Sequence, residues 1–448
     1  MTLEGNKTLQ KLCDGELKGL SNLKLSCNLK HFPLEIFDLA DTLEILDLSG
    51  NALSSLPDRL PELHKLKILF CSDNHFTELP RVLGQCKALS MIGFRNNDIR
   101  HVSPEALPPL LRWLILTGNQ LTELPPELGH RSHLQKLMVA GNHLQTLPEE
   151  LGNCKNLELI RIAANRFDAL PEVLFKLPRL AWLSYSGNPF CSSDEQTALQ
   201  DTPVKPIPWS SLALQQKIGE GASGVIYQAS WQADHSIPVA VKVFKGELTS
   251  DGLPMSEMAA SMRAGSHSNL ITVLGKIEGH PENANGLVMS LVDASYRNLA
   301  GPPSFASCTR DVYADDMRLS LSEVLSIASG IAGVAQQVHA KGIMHGDLYA
   351  HNILLGQNGH ALLGDFGAAC FKPTDAAHML ALEKIEVRAF GYLLEELLER
   401  CEGEATTLTA VTTFATLTHL TALRDACLNT DSTQRPVFTE VMARIQSA

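Results

Sequence analysis

The sequence predicts a two-domain protein in which an α/β repeat solenoid precedes a bilobal α+β domain. In the first half of the 448-residue chain, a leucine pattern recurs every 23 residues. In the second half, a glycine-rich turn precedes an alternating strand that carries Lys242, and Asp347 precedes Asn352 by five positions. The expected organisation is a cap over residues 1–19, repeats over 20–190, a linker over 191–208 and the second domain over 209–448.

The composition argues against several classes of partner and location. The formal net charge is −12, whereas nucleic acid and anionic membranes reward clusters of Lys and Arg. No stretch approaches about eighteen consecutive apolar residues, so we expect no membrane span. The ten cysteines form no CxxC pair, and the N-terminus lacks a secretory pattern. We therefore expect reduced thiols and a cytoplasmic location.

The first element is a cap. Leu9, Leu12 and Leu17 have loosely helical spacing, and an exposed solenoid end needs a cover with a polar outer face. We expect residues 1–19 to form it.

The repeats follow the pattern LxxLxLxxN, with steps of 23 residues and a single step of 22. The eight units begin at Leu20, Leu43, Leu66, Leu89, Leu111, Leu134, Leu157 and Leu180. Each unit has an asparagine in register: Asn28, Asn51, Asn74, Asn97, Asn119, Asn142, Asn165 and Asn188. A buried ladder of side-chain amides that satisfies backbone groups at each turn explains this recurring polar residue. The pattern resembles the leucine-rich repeat.

The residues between the inward leucines of such a repeat line the concave face of its sheet. Those positions give an apolar stripe: Ile68, Phe70, Met91, Trp113, Ile115, Met138, Leu159 and Trp182. Exposed apolar patches mark interaction sites, so we expect a protein partner or substrate there, with Phe70, Trp113 and Trp182 as anchors. The alternative is that the second domain or a second copy of the chain covers the stripe.

The segment from Cys191 to Pro208 loses the repeat register. Ser, Asp, Thr and Pro predominate in it, which favours a short semi-rigid linker.

The second domain opens with a glycine-rich hairpin. The run Gly219 to Val225 joins two strand-like segments, and its glycines let backbone N–H groups approach phosphate oxygens. The next strand ends in Val-Ala-Val-Lys and places Lys242 where it can hold the α and β phosphates. Glu257, in a helical stretch, is the expected partner of this lysine, with Glu247 as the second choice.

Three further polar residues supply what phosphoryl transfer from ATP requires, a group that orients the attacking hydroxyl and two metal ligands. Asp347 and Asn352 lie in the run His345 to Leu355, and Asp365 begins Asp-Phe-Gly. Four motifs in this order resemble the protein kinase family. With the repeats, the chain is similar to soluble leucine-rich repeat kinases of the bacterial, tyrosine-kinase-like type.

The resemblance implies a role for each site residue. Asp347 would accept the proton of the substrate hydroxyl, Lys242 would hold the phosphates, and Asn352 and Asp365 would bind Mg²⁺. Met289 would be the gatekeeper beside the adenine. The other implied ATP-binding positions are Ile218, Gly219, Glu220, Gly221, Ala222, Ser223, Gly224, Val225, Ala240, Glu257, Ser290, Leu291, Val292 and Leu354.

The sequence departs from the family around the activation segment. Gly346 replaces the arginine of the HRD motif, so we do not expect phosphorylation of that segment to be the switch. The stretch from Asp365 to Glu383 is short and offers Thr374 as its only hydroxyl. Much of the usual platform for a substrate peptide is therefore missing, and the repeats are the expected replacement.

Other family positions also differ. Tyr349 stands where serine/threonine kinases have Lys, and His351 stands where tyrosine kinases have Arg. Glu386 takes the place of an Asp in the central helix of the large lobe. Arg435 resembles the arginine that pairs with a buried glutamate near the end of the domain, and Glu383 is its candidate partner.

The favoured function is ATP-dependent transfer of phosphate to Ser or Thr hydroxyls of a protein, with the repeats binding substrate or regulator. Aminoglycoside and choline kinases also use His-Gly-Asp with an Asn five residues after the Asp. The glycine-rich hairpin, the Val-Ala-Val-Lys strand, Asp-Phe-Gly and the repeats argue against that alternative. A scaffold that binds without reacting is a third alternative, although Lys242, Asp347, Asn352 and Asp365 are all present.

Overall fold

The leucine period becomes one short strand and one turn per repeat. The computed structural model describes residues 3–201, 204–232, 236–246, 248–373, 375–402 and 410–448. Glu247 and Thr374 lie outside these ranges. The chain divides into two compact units, Met1–Leu177 and Pro178–Ala448.

The first unit is a parallel sheet preceded by a helix at its N-terminus. Each strand pairs in parallel with the next, with the middle residues of neighbouring strands in register. The elements are α1 (Leu3–Cys13), β1 (Asn22–Lys24), β2 (Ile45–Asp47), β3 (Ile68–Phe70), β4 (Met91–Gly93), β5 (Trp113–Ile115), β6 (Lys136–Met138) and β7 (Leu159–Arg161).

The asparagines join successive turns of the first unit. The Asn119 carboxamide accepts a hydrogen bond from the Ile99 N–H at 3.0 Å and donates to the carbonyls of Phe94 and Leu116, both at 2.9 Å. Equivalent bonds recur in the neighbouring repeats. Asn28 is the exception: it is exposed with φ of 61°, because the first repeat has no preceding turn for the amide to bind.

The apolar stripe is less accessible than the sequence predicted. Phe70, Trp113 and Ile115 are half-buried, whereas Met138 is 9% exposed and Trp182 is 1% exposed. The indole N–H of Trp113 lies 3.3 Å from the Met138 sulfur, so one predicted anchor covers another residue of the stripe. Trp182 belongs to the second unit and packs there, so its assignment as an exposed anchor was wrong.

The second unit begins with the eighth repeat, and its next segment is not a simple linker. Strand β8 (Trp182–Ser184) is followed by helix α2 (Ser192–Asp201) and strand β9 (Pro206–Pro208). Leu199 of α2 packs against a buried cluster that includes Phe244, and β9 adds a parallel strand to the following sheet. Ile207 is fully buried. Apolar contacts therefore order much of a segment whose composition suggested a linker.

A six-stranded sheet follows, in the order β10-β11-β12-β14-β13-β9. Its strands are β10 (Leu212–Glu220), β11 (Gly224–Gln232), β12 (Ser236–Phe244), β13 (Val273–Glu278) and β14 (Gly286–Ser290), with helix α3 (Pro254–Ala264) between β12 and β13 in the chain. The new strands pair antiparallel to one another, and β9 pairs parallel to β13.

The remainder of the unit is mainly helical. Its helices are α4 (Leu321–Ala340), α5 (Ala376–Glu399), α6 (Ala410–Cys427) and α7 (Phe438–Gln446). The short strands are β15 (Arg297–Asn298), β16 (Ile343–Met344), β17 (Ile353–Leu355), β18 (Ala361–Leu363) and β19 (Cys370–Phe371). A capping box at Ser320 begins α4, and the Asp375 carboxylate begins α5 by accepting from the His378 N–H.

Among the described residues, no helix combines the length and the apolar character needed to cross a bilayer.

Candidate active site

A cavity of about 380 Å³ lies beneath the glycine-rich hairpin formed by β10 and β11. Ten of the predicted residues line it: Gly219, Glu220, Gly221, Ala222, Ser223, Gly224, Lys242, Glu257, Met289 and Asp365. The lining excludes the predicted Ile218, Val225, Ala240, Ser290, Leu291, Val292 and Leu354, and also Asp347 and Asn352. Residues of the lining that the sequence did not single out include Thr249, Asp251, Leu270 and Leu363.

The hairpin keeps its glycines for different reasons. The Gly221 N–H bonds the Gly224 carbonyl at 2.9 Å and closes the turn. A Cβ on Gly224 would lie 2.5 Å from the Val243 carbonyl oxygen, so the close approach of β12 requires glycine there. A Cβ on Gly221 would meet nothing within 4 Å, so packing does not require glycine there.

Lys242 and Glu257 form a buried ion pair. The lysine Nζ donates to the Glu257 Oε1, and the two side chains are 12% and 4% exposed. Burial raises the pKa of the Glu257 carboxyl, and the adjacent ammonium of Lys242 opposes that rise. The pair joins β12 to α3, as the sequence predicted. Such a pair fixes the extended lysine at the cavity wall.

The loop after β16 brings Asp347 and Asn352 together. The Asn352 Nδ2 donates to the Asp347 backbone oxygen at 2.9 Å and to its Oδ2 at 2.8 Å. Both bonds use the amide nitrogen, which leaves an amide oxygen as the kind of ligand that Mg²⁺ prefers. The Gly364 N–H bonds the Asn352 carbonyl at 3.0 Å, so this loop is tied directly to the segment that carries Asp365.

Asp365 sits on a strained backbone at the edge of the cavity. Its φ is 50°, and its Oδ1 accepts a hydrogen bond from the Gly367 N–H at 3.0 Å. Its side chain is exposed and lines the cavity, whereas the neighbouring Phe366 is buried with its ring 4.9 Å from that of His345. The His345 Nε2 lies 2.9 Å from the Gly364 carbonyl, which holds the two segments together.

Glu386 of α5 organises the same loop from below. Its carboxylate accepts from the backbone N–H groups of His345 at 3.1 Å and Gly346 at 2.6 Å, and it lies 2.5 Å from the His339 Nε2. Burial alone would raise the pKa of this carboxyl, but the His339 and Gly346 contacts outweigh burial and lower it. The longer carboxylate thus fits the position predicted for it.

Gly346 is explained by close backbone neighbours. Its φ is 74°, and a Cβ there would lie 2.5 Å from the Ala368 oxygen and 2.6 Å from the Leu183 oxygen. A side chain has no room at this position. Leu183 belongs to β8, so the strand of the eighth repeat occupies space beside the loop where the family has an arginine.

The activation segment is reduced to a few residues. Helix α5 begins at Ala376, nine residues after Gly367, and β19 pairs with β16 in between. The sequence analysis let this segment run to Glu383. It is shorter in the structure, because α5 already begins at Ala376.

The segment before α4 that contains Asp311 also supports the loop. The Asp311 carboxylate accepts from the His351 backbone N–H at 3.0 Å and lies 2.7 Å from its Nδ1. Burial lowers the pKa of His351, but the bond to Asp311 outweighs burial and raises it. Next to Asp311, Arg310 pairs with Glu395 and Glu396 of α5.

Arg435 does not pair with Glu383. It donates instead to the backbone carbonyls of Asn429, Lys384 and Pro178, at 2.8, 3.0 and 2.6 Å. The Glu383 Oε1 accepts from the Phe438 N–H at 2.9 Å. Several backbone acceptors satisfy this largely buried guanidinium, so it needs no carboxylate partner here.

Comparison with known proteins finds one family match in each part of the chain. Residues 212–389 match the protein tyrosine and serine/threonine kinase family, and residues 42–63 match the leucine-rich repeat. Fibroblast growth factor receptor 1 of Pleurodeles waltl is 28% identical, over 43% of this chain and 25% of its own length. The tyrosine-protein kinase Src64B of Drosophila melanogaster is 28% identical, over 36% of this chain and 27% of its own length.

A serine/threonine-protein kinase of Candida albicans is 26% identical, over 34% of this chain and 21% of its own length. The chain thus spans about a quarter of the length of the curated relatives it matches. These relatives include both tyrosine and serine/threonine kinases.

Proposed function

Since the chain carries a protein kinase domain together with leucine-rich repeats, we propose that it transfers the γ-phosphate of ATP to Ser or Thr hydroxyls of a protein. The observation that carries this proposal is the arrangement of the polar residues. The Lys242–Glu257 pair and Asp365 line one cavity, and the bonded pair Asp347 and Asn352 is tied to its edge through Gly364.

The proposed mechanism gives each of these residues a role. Lys242, held by Glu257, binds the phosphates of ATP, and the N–H groups of the glycine-rich hairpin approach the phosphate oxygens. Asp347 orients the attacking hydroxyl and accepts its proton, while the Asn352 amide holds the Asp347 carboxylate in place. Asn352 and Asp365 would hold Mg²⁺, which when bound neutralises charge on the phosphates.

The remaining ATP-binding assignments rest on the family resemblance. Met289 lies in the cavity wall, in register with Ala240 of β12. Ser290, Leu291 and Val292 follow it as the backbone edge for adenine. The proposed ATP-binding residues also include Ile218, Val225 and Leu354, which do not line the cavity.

The proposed function distinguishes this chain from its two alternatives. A scaffold that binds without reacting would not need Asp347 oriented by an amide, because ATP binding alone does not use that carboxylate. A small-molecule kinase would not need the repeats. The assignment to Ser and Thr follows from the similarity to kinases of the tyrosine-kinase-like type, which we extend to this chain.

We also assign the repeats a protein ligand, either the substrate or a regulator. Phe70, Trp113 and Ile115 remain half-buried on the concave strands and offer apolar surface to it. Trp113→Ala is expected to abolish binding of this protein ligand and to leave basal transfer to a generic acceptor unchanged. Unchanged capture by Trp113→Ala would contradict the assignment.

The proposed compartment is the cytoplasm. The ten cysteines, all within the described ranges, form no disulfide, and eight of them are buried, which supports this proposal.

The test of substrate class offers the full-length protein labelled Mg-ATP and three acceptors. The acceptors are the protein itself, casein as a generic protein, and a pool of small hydroxyl metabolites that includes aminoglycosides and choline. We expect label in protein only, recovered as phosphoserine or phosphothreonine. Label in a metabolite, or in tyrosine alone, would contradict the proposed substrate class.

A further inference from the structure

The strand of the eighth repeat packs against the loop that carries the proposed catalytic aspartate. Trp182, in β8, is 1% exposed, and its indole N–H donates to the Leu348 carbonyl at 3.1 Å. Leu348 follows Asp347 directly in the chain. A buried hydrogen bond to this carbonyl restrains the peptide unit next to Asp347.

The Trp182 ring also stacks on the loop and on the helix below it. It lies 4.1 Å from the Tyr349 ring with an interplanar angle of 5°, and 5.3 Å from the Tyr392 ring of α5 at 14°. Tyr392 is itself fixed, since its hydroxyl accepts from Arg388 at 3.1 Å and Arg310 lies 3.9 Å from its ring. Trp182 therefore joins the loop to helix α5 through its two ring contacts.

Neighbouring residues of the eighth repeat bond the other segments of the site. The Tyr185 N–H donates to the Cys370 sulfur at 3.0 Å, and the Tyr185 hydroxyl donates to the Phe371 carbonyl at 3.2 Å. Ser184 donates to the Asp251 carbonyl at 2.5 Å, just before the helix that carries Glu257. Residues 182–185 of the eighth repeat thus contact three segments: the loop that carries Asp347, strand β19 and the residues just before α3.

The contact between the eighth repeat and the loop that carries Asp347 matters because the activation segment is short. Only the residues from Ala368 to Asp375 separate Gly367 from α5. The space beside Gly346 is filled by the Leu183 carbonyl instead of an arginine side chain. The eighth repeat therefore supports the loop alongside Glu386 and Asp311.

We propose that Trp182 is a positioning residue for phosphoryl transfer, and that the eighth repeat does for this loop what an activation segment does elsewhere in the family. The inference rests on the proposed kinase function. It adds that the rate of phosphoryl transfer depends on a residue of the eighth repeat. Trp182 acts through the Leu348 carbonyl and the Tyr349 ring, and it contacts neither ATP nor acceptor in this role.

The test compares Trp182→Ala and Trp182→Phe with the parent, all as full-length proteins. The phenylalanine variant keeps a ring for stacking and loses the N–H bond, so it reports on positioning even where the alanine variant fails to fold. Trp209→Ala is the matched control, because Trp209 is a part-buried indole of the same unit that packs on the sheet core, away from the loop. Each protein is assayed for label transfer to protein, for Mg-ATP affinity and for hydrogen exchange of residues 345–352.

We expect Trp182→Ala to lower kcat by roughly 100-fold and Trp182→Phe by roughly 10-fold, since small displacements of a reacting group cost about this much. Mg-ATP affinity stays within about threefold, because the nucleotide residues are not displaced, and exchange in the loop accelerates while helix α4 is unchanged. Trp209→Ala keeps the parental kcat.

Parental kcat and parental loop exchange in both Trp182 variants would overturn the proposal. So would an equal loss of kcat in Trp209→Ala. A parent that transfers no phosphate would contradict the kinase function instead, and the exchange measurement would still decide whether Trp182 holds the loop.

Discussion

The packing around Gly346 explains why this position is a glycine. Its backbone is left-handed, and two carbonyl oxygens lie within 2.6 Å of any Cβ that it might carry. The sequence analysis noted that Gly346 replaces the arginine of the HRD motif, but it gave no structural reason for the glycine. The reason for it depends on Leu183, which is distant in the chain, so no local pattern contains that information.

Gly346→Ala is expected to lower the free energy of unfolding by about 3 kcal/mol or more, because left-handed strain and two steric clashes add together. Gly342→Ala is the matched control, since Gly342 has φ of 73° and a Cβ there would meet nothing within 4 Å. It should cost about 1 kcal/mol, from strain alone. Urea titration of both full-length variants measures the difference, and equal losses would contradict the packing account.

Glu396 gives a prediction about pH. Burial raises the pKa of its carboxyl to about 7, although Arg310 at 3.2 Å opposes the rise. The folded state therefore binds this proton more tightly than the unfolded state, and the free energy of unfolding falls as pH increases from about 4.5 to about 7.

The Glu396→Gln variant should lack that part of the slope, a difference on the order of 3 kcal/mol across the range. Glu395→Gln is the control, because Glu395 also pairs with Arg310 but is 30% exposed. Urea titrations at several pH values test this, and a Glu396→Gln slope equal to that of the parent would be the contrary result.

At the scale of elements, the repeats were the most predictable part of the chain. A leucine every few residues and an asparagine in register specify a strand and a turn, and the strands lie where the pattern placed them. The segment between repeats and kinase domain was not predictable in the same way. Its polar, proline-containing composition conceals the apolar contacts of Leu199 and Ile207, which order α2 and β9.

The asparagine ladder predicts a cost for removing one of its members. In Asn119→Ala the buried Ile99 N–H loses its acceptor, so we expect a loss of about 3 kcal/mol in the free energy of unfolding. Asn156→Ala is the control, since Asn156 is half-buried and its bond to the Ser132 carbonyl lies at the surface. It should change stability by about 0.5 kcal/mol or less. Comparable losses for the two variants would contradict the ladder account.

At the scale of the whole molecule, the domain boundary predicted from the repeat pattern differs from the boundary between the compact units. Leu180 keeps the repeat register, so the pattern assigned the eighth repeat to the solenoid. The division into compact units falls between Leu177 and Pro178, so the residues of the eighth repeat belong to the second unit. Periodicity reports which residues form a similar local structure, whereas unit boundaries depend on tertiary contacts such as Trp182 on Tyr349.

The motifs of the proposed active site were recognisable because each has a fixed local spacing. The predicted Lys242–Glu257 pair is present, and the structure adds a bond from the Asn352 amide to the Asp347 carboxylate that the sequence analysis did not predict. The support beneath them was not recognisable, since Trp182 and Asp311 are far from the loop in sequence and have no motif of their own.

The most direct test of the central claim compares phosphate transfer from labelled Mg-ATP to protein by the parent and by Asp347→Asn, with ATP affinity measured in parallel. Asp425→Asn, an exposed aspartate on α6, is the control. The account predicts that Asp347→Asn transfers phosphate at least about 100-fold more slowly, because general-base and orienting contacts strengthen toward the transition state, while ATP affinity and Asp425→Asn stay near parental values. Parental transfer by Asp347→Asn, or no transfer by the parent with ATP bound, would contradict it.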